Sequence, residues 1–315
     1  MELDIHYVDA PLGHEIRGVD LRTVDDDTFR AIEDAYDRYG VIVIRGQLWT
    51  PQEQVAFSKR FGSLDRFVLD RFNMKELPEI FVLSNIIENG QPIGMNDAGR
   101  YWHSDMWVTE KPPRGSMLYS LEVPHKGDEP LGSTYLASTS HAYDTLPQEV
   151  KDRIEDLSAV FSSQLYAAYV GHDTVKDVHT REIVAARQAV ADRRMTHRLV
   201  RRHPVTGRKC LYVVEGVIDQ IIGVEPAESK ELLNYLLKHI TRPETVYCHR
   251  WKVGDVLMWD NYSAVHRATG DFELPQRRLM HRTTLSAPNA AGASGEAGAA
   301  AAAGTAGAPA MAGVC

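Results

Sequence analysis

The sequence predicts a mainly β protein, a sandwich or barrel with helices packed against its outside. Three observations carry that prediction. Short β-rich runs recur at 80–83, 117–123, 211–214, 256–259 and 279–285, punctuated by Pro and Gly. Helical patterns interrupt them irregularly, whereas a doubly wound parallel sheet needs regular alternation. The 315 residues, 43% hydrophobic and 25% charged, are enough to bury a sizeable core.

The N-terminal part mixes helix and strand. Phe29, Ile32, Tyr36 and Tyr39 repeat at one helical face, which the aspartates at 25–27 can cap. Val41-Ile42-Val43-Ile44 follows as a short buried strand. Thr50-Pro51-Gln52-Glu53 is a capping box with Pro at the first helical position, opening a helix to about Phe61 that Gly62 stops. Further helices are expected at about 147–157 and 226–240, the second with Leu232, Leu233, Leu236, Leu237 and Ile240 as a wide apolar stripe. One domain is expected over 1–286. From 287 to Cys315 the chain is nearly all Ala and Gly. Such a segment buries too little to offset its ordering entropy, so it is expected to be a disordered tail.

The net charge of −8 offers no broad attraction to nucleic acid or anionic membrane. Cys210, Cys248 and Cys315 are odd in number and unpaired by any CxxC spacing, which excludes a disulfide framework or zinc ribbon and fits the reducing cytoplasm. Residues 1–6 carry no signal-peptide pattern, and no apolar run approaches the ~20 residues of a membrane helix.

Two segments carry chemistry. In Arg100-Tyr101-Trp102-His103-Ser104-Asp105-Met106-Trp107, a strand would point His103 and Asp105 to one face, about 7 Å apart at Cα. Both could then reach one metal ion, although a lone His-x-Asp is a weak signal. Farther on, the run at 256–259 ends in the polar turn Asp260-Asn261, and Val265-His266 follows. In the last strand, parity sets Arg278, Met280 and Arg282 on one face and Arg277, Leu279 and His281 on the other. Paired arginines suit a carboxylate better than a core. Two His and one carboxylate suit Fe(II) and leave three octahedral positions open.

Through these segments the chain resembles the taurine dioxygenase / 2,4-dichlorophenoxyacetate dioxygenase family of Fe(II)/2-oxoglutarate enzymes. The likeness runs through Gly18-Val19-Asp20-Leu21, Ile44-Arg45-Gly46, residues 57–62, Trp102-His103-Ser104-Asp105, residues 256–261 with His266, and Arg278-Leu279-Met280-His281-Arg282. It covers nearly all of the chain before the tail. The resemblance implies a double-stranded β-helix, a jelly roll braced by helices. It implies His103, Asp105 and His266 as iron ligands and Arg278 as the 2-oxoglutarate arginine. Arg282 matches a second arginine that contacts the co-substrate or an anionic substrate. Thr134 matches a threonine that helps hold the 2-oxoglutarate carboxylate, although here Glu-Pro-Leu separates Gly127-Asp128 from Gly132-Ser133-Thr134.

The implied reaction uses O₂ and 2-oxoglutarate, releases succinate and CO₂, and hydroxylates a small anionic substrate: a sulfonate, sulfate ester, aryloxyalkanoate or other carboxylate. Asp105 argues against halogenation, since related halogenases replace the carboxylate with a small residue. Relatives are often dimers or tetramers, so a homo-oligomer is expected. Competing readings are an inactive jelly-roll binding protein and a zinc hydrolase on the same ligands. The histidines at 125, 141, 172, 179, 197, 203, 239 and 249 read as surface or locally hydrogen-bonded, and His281 as structural. Trp102, Trp107 and Trp259 read as packing residues, Tyr101 and Asn85 as pocket candidates, and Arg193-Arg194 and Arg201-Arg202 as solvated charge. Substrate selection is expected in loops at 63–101 and 162–198.

Overall fold

A computed structural model describes residues 3–66, 70–96, 99–173 and 192–287. The expected tail beyond 287 lies outside the described residues. The strands that matter below are β1 (Asp4–His6), β2 (His14–Arg17), β3 (Val41–Ile44), β4 (Leu64–Asp65), β5 (Phe81–Ser84), β6 (Gly115–Glu122), β7 (Thr134–Ser138), β8 (Ser158–Ser162), β9 (Arg194–Arg198), β10 (Ile218–Ile221), β11 (Val246–His249), β12 (Val256–Asp260), β13 (Ala264–Ala268) and β14 (Leu279–Leu285).

An eight-stranded sheet runs in the order β1-β2-β3-β12-β6-β14-β4, with β5 also paired to β14. A second sheet sets β7 between β11 and β13, and a third sets β8 between β9 and β10. The chain is therefore mainly β with flanking helices, as expected.

Strand parity divides the core. In β3, Val41 and Val43 join Leu118, Leu257 and Met280 of the large sheet and Leu136 and Ala264 of the second sheet in one apolar cluster. Their neighbours Ile42, Ile44, Met117, Val256 and Met258 face the other way, onto Ile32, Tyr36 and Phe57 of two helices. Both faces of the large sheet are thus covered, which is why β3 and β12 are buried at every position. Each large aliphatic side chain buried this way stabilises the fold by roughly 1.5–3 kcal/mol.

The helix ends follow local chemistry. The first helix, α1 (Asp26–Tyr39), is capped by Asp25, whose carboxylate accepts the Thr28 N–H, and it ends at left-handed Gly40. The second, α2 (Pro51–Ser58), carries the Thr50–Glu53 capping box in both directions. It hands over to a 3₁₀ turn at Lys59–Phe61 before Gly62. The helix Pro226–Ile240 has the expected span and buries Leu232, Leu236 and Ile240.

Other expectations shift. The helix expected at 147–157 is only Gln148–Ile154. The strand expected at 211–214 ends at Leu211, as part of Lys209–Leu211. Helix Ser163–Asp173 and the third sheet carry no strong periodic signal. No helix among the described residues is long and apolar enough to cross a membrane.

Candidate active site

His103 and Asp105 do not sit on the expected strand. His103 instead forms an isolated antiparallel bridge to His266 of β13, with N···O distances of 3.0 and 2.8 Å. A turn follows, with Met106 at φ 55°. Asn261 fixes that turn: its side-chain carbonyl accepts the Asp105 N–H at 3.2 Å, and its backbone carbonyl accepts the Ser104 hydroxyl at 2.9 Å. Bridge and turn together achieve what the strand was expected to achieve. His103 Nε2 and His266 Nε2 lie 3.9 and 3.8 Å from Asp105 Oδ1. All three residues are buried, and their ligand atoms fall within 4.8 Å of one another. Among the described residues no other such trio of His, Cys, Asp or Glu is found.

The protonation states suit a metal. His103 Nδ1 lies 2.8 Å from the Tyr101 carbonyl, which can only accept, so Nδ1 carries the proton and Nε2 keeps its lone pair. Burial lowers the pKa of His103. Burial first, and then the neighbouring His103, push His266 down to about 3. Burial alone would raise Asp105. The Arg282 guanidinium, then the two imidazoles and the Ser116 hydroxyl, outweigh it and hold the carboxyl well below the usual range. Two neutral imidazoles and a carboxylate are a donor set that fits Fe(II).

Ser116 of β6 donates to Asp105 Oδ2 at 2.8 Å, a contact the sequence did not announce. Removing an outer hydrogen bond of this kind typically weakens metal binding 10–100-fold. Ser116→Ala is therefore expected to lower Fe(II) affinity by about that factor while the protein stays folded, which an Fe(II) titration beside circular dichroism will check. Gly99 is equally constrained. Its φ is +70°, and a Cβ there would sit 2.5 Å from His103 Cε1. Gly99→Ala is expected to displace the imidazole and weaken Fe(II) binding by at least about tenfold, since outer-sphere changes alone reach that size. Wild-type affinity would mean that the ring tolerates the shift.

His103 and His266 open onto a cavity of about 620 Å³, counting its mouth, which Thr134, Trp259, Arg278 and Arg282 also line. All six sequence-predicted site residues thus converge. Trp259 both packs, at 4.6 Å from the His266 ring, and lines the cavity. Parity held through β14 and the two residues leading into it: Arg278 and Arg282 turn inward with Met280, while Arg277 pairs with Glu122 at 2.8 Å on the surface. Arg282 Nη1 lies 3.5 Å from Asp105 Oδ1. Arg278 is buried, and its Nε has no hydrogen-bond partner among the described residues. Burial pushes its pKa down to about 10, against a single opposing carboxylate, Asp271.

The residues interrupting the Thr134 motif form a hairpin. His125–Lys126 pairs with Glu129–Pro130 around Gly127-Asp128, and the Leu131 N–H then bonds the Pro124 carbonyl at 2.7 Å. The extra residues are absorbed there, and Thr134 still reaches the cavity.

Asn85 is a support for the site. Its side-chain oxygen accepts the Arg278 N–H at 2.8 Å, and its amide donates to the Gln276 carbonyl at 2.7 Å. Tyr101 stacks on His103 at 4.6 Å. Arg100 lines the cavity, which sequence reasoning did not single out. Arg201 is a correction: it is half-buried, not solvated, with its guanidinium 3.4 Å from the Tyr212 ring centroid and 4.6 Å from that of Tyr262. His197, His203 and His249 are buried and bonded locally, to the Trp107 carbonyl, Asp260 and Tyr247. The side chains of His172 and His179 lie outside the described residues.

The chain matches the family model "Taurine catabolism dioxygenase TauD, TfdA family" over residues 4–284. It is 31% identical to pentalenolactone F synthase of Streptomyces arenae, over 90% of this chain and 95% of that protein. It is 32% identical to the alpha-ketoglutarate-dependent 2,4-dichlorophenoxyacetate dioxygenase of Burkholderia sp. (strain RASC), over 81% and 85%. The crystal structure of AAD-2 in complex with Mn(II) and N-oxalylglycine aligns with a TM-score of 0.73 at 29% identity, covering 91% of this chain and 98% of that one. With the buried His-Asp-His set at its centre, the chain belongs to the TauD/TfdA family of Fe(II)/2-oxoglutarate-dependent dioxygenases.

Proposed function

We propose that this enzyme couples the decarboxylation of 2-oxoglutarate, to succinate and CO₂, to the hydroxylation of a small anionic organic molecule. The observation that carries the reading is a buried His-Asp-His set opening onto a cavity that also holds a buried guanidinium whose Nε has no partner among the described residues. His103, Asp105 and His266 would hold the metal, and bound iron would supply the redox chemistry with O₂ that no side chain can. Arg278, with the Thr134 hydroxyl, receives the distal carboxylate of 2-oxoglutarate. Arg282 stands four residues along the same strand, roughly 13 Å away at the backbone. The Arg282 Nη1 lies 3.5 Å from Asp105 Oδ1, so its head group sits at the metal ligands. We assign Arg282 to a second anionic group, the acid of the substrate, beside the metal ligands.

The candidate substrates are sulfonates, sulfate esters, aryloxyalkanoates and related carboxylates. The relative that acts on 2,4-dichlorophenoxyacetate supports that range. A double-stranded β-helix over 1–286 is the architecture we infer, and the sheet pairing and the family match over residues 4–284 support it. Free thiols at Cys210 and Cys248 support a cytoplasmic setting.

Anaerobic titration with Fe(II) and then 2-oxoglutarate tests the reading without knowledge of the substrate. A weak visible charge-transfer band requiring both additions is expected. Tight zinc binding with no such band would point to the hydrolase or the inactive jelly roll.

A further inference from the structure

We propose that Trp251 is a positioning residue for the co-substrate: its indole N–H engages the Thr134 oxygen and so commits the Thr134 hydroxyl proton to the cavity. This rests on the functional reading above, in which Thr134 and Arg278 receive one carboxylate.

The geometry is direct. Trp251 Nε1 lies 3.1 Å from Thr134 Oγ1, and the indole is fully buried. An indole N–H can only donate, so the threonine oxygen must accept. A hydroxyl has one proton and two lone pairs. Among the described residues, Oγ1 makes no other hydrogen bond. The Thr134 backbone lies in the middle strand of its sheet, between His249 and Ala268. With one lone pair fixed by the indole, the hydroxyl proton is left to the cavity that Thr134 lines with Arg278. A hydroxyl held this way donates to a carboxylate. One free to rotate could present a lone pair to the same anion and repel it.

The indole is itself held in place. The His249 ring packs edge-on against it at 4.4 Å and 88°. His249 Nε2 approaches Asp255 Oδ2 at 3.2 Å, off the line of a hydrogen bond, and its Nδ1 is 3.0 Å from the Tyr247 hydroxyl. Asp255 in turn binds Arg45 at 2.6 Å and accepts the Lys252 N–H at 2.8 Å. A chain of contacts thus leads from the partly exposed Arg45 through the buried Asp255, His249 and Trp251 to the threonine, and none of its members before Thr134 lines the cavity.

The test is a double-mutant cycle on 2-oxoglutarate binding, read as Kd by anaerobic calorimetry with the Fe(II)-loaded protein. Thr134→Val is expected to raise Kd about 10–100-fold, the range for one hydrogen bond to a charged group. Trp251→Phe, which keeps a buried ring but removes the donor, is expected to raise it about 3–10-fold, a part of the same interaction. In the Thr134→Val background, Trp251→Phe should then change nothing, and Thr134→Ser should restore both the wild-type Kd and its sensitivity to Trp251→Phe. If Trp251→Phe does not fold, benzothienylalanine at position 251 replaces N–H by sulfur at nearly constant shape, with the same expectations. Equal effects of the Trp251 change in both backgrounds, or no effect in either, would overturn the inference while leaving the functional reading standing. Failure of the unaltered protein to bind 2-oxoglutarate would overturn both.

Discussion

Asp105→Ala is expected to reduce iron-dependent turnover by at least about a thousandfold, beyond the 10–100-fold typical of outer hydrogen bonds to a metal ligand. Asp105 joins the three parts of the site. Its Oδ1 faces both imidazole Nε2 atoms, and Arg282 lies 3.5 Å from the same oxygen. Its Oδ2 is bound by Ser116. Deleting the carboxylate removes one of three metal donors and the only anion in the set. It also takes the counter-charge from a buried guanidinium, which costs about 3–5 kcal/mol. Lost activity in the alanine variant could therefore come from lost fold. Asp105→Asn separates the two, because it keeps the volume and an acceptor oxygen but drops the charge. The asparagine protein should unfold cooperatively in a thermal scan yet bind Fe(II) at least about 100-fold more weakly, at or beyond the upper end of outer-sphere effects. Full turnover in either variant would sink the ligand assignment, and the same holds for His266→Ala.

What the sequence disclosed divides by the range of the physics. The caps of α1 and α2 were legible because each is settled within a few residues, Asp25 with Thr28 and Thr50 with Glu53. Parity in β14 was legible because pleating needs no knowledge of a partner strand, and it separated Arg278 from Arg277 correctly. His103 and His266 are 163 positions apart, so only the order and spacing of the motifs could join them. Their means of meeting, a single backbone bridge and a turn pinned by Asn261, was not readable, and the expected strand was wrong for that reason. Ser116 gave no signal, because a serine in an apolar run looks the same whether or not it faces a carboxylate. Arg201 was misread because its neighbour Tyr262 is remote in sequence and meets it only in the fold. The third sheet was missed because β8, β9 and β10 mix buried and exposed positions without clean alternation.

Arg278→Met should weaken 2-oxoglutarate binding and at the same time stabilise the ligand-free protein. The guanidinium is buried, and burial moves its pKa down to about 10. A base whose folded pKa lies below its unfolded value destabilises the fold while charged. Below about pH 10 that penalty is complete, and it fades only above that pH as the folded form gives up its proton. At neutral pH the ligand-free protein therefore carries the whole of it, on the order of 1–3 kcal/mol at about 1.4 kcal/mol per unit, allowing for residual hydration. Met fills a similar volume without a charge. At about 2 °C per kcal/mol for a chain of this size, the ligand-free Tm should rise by roughly 2–6 °C.

Binding should move the other way. Truncating one side of a buried, hydrogen-bonded charge pair costs about 2–5 kcal/mol, which raises the Kd for 2-oxoglutarate roughly 30- to 5,000-fold. Saturating 2-oxoglutarate should lift the Tm of the Fe(II)-loaded wild type, because ligand binds the folded state alone, but should leave the Arg278→Met protein unmoved at the same concentration. Scans of both proteins, each with and without ligand, decide the matter. Unchanged affinity would remove Arg278 from the co-substrate site. Weak affinity with a lowered ligand-free Tm would mean that Arg278 supports the fold as well as the ligand, and that its burial is compensated. A raised Tm with lost binding is the signature of a cation held in the fold, against its own stability, for an anion that arrives later.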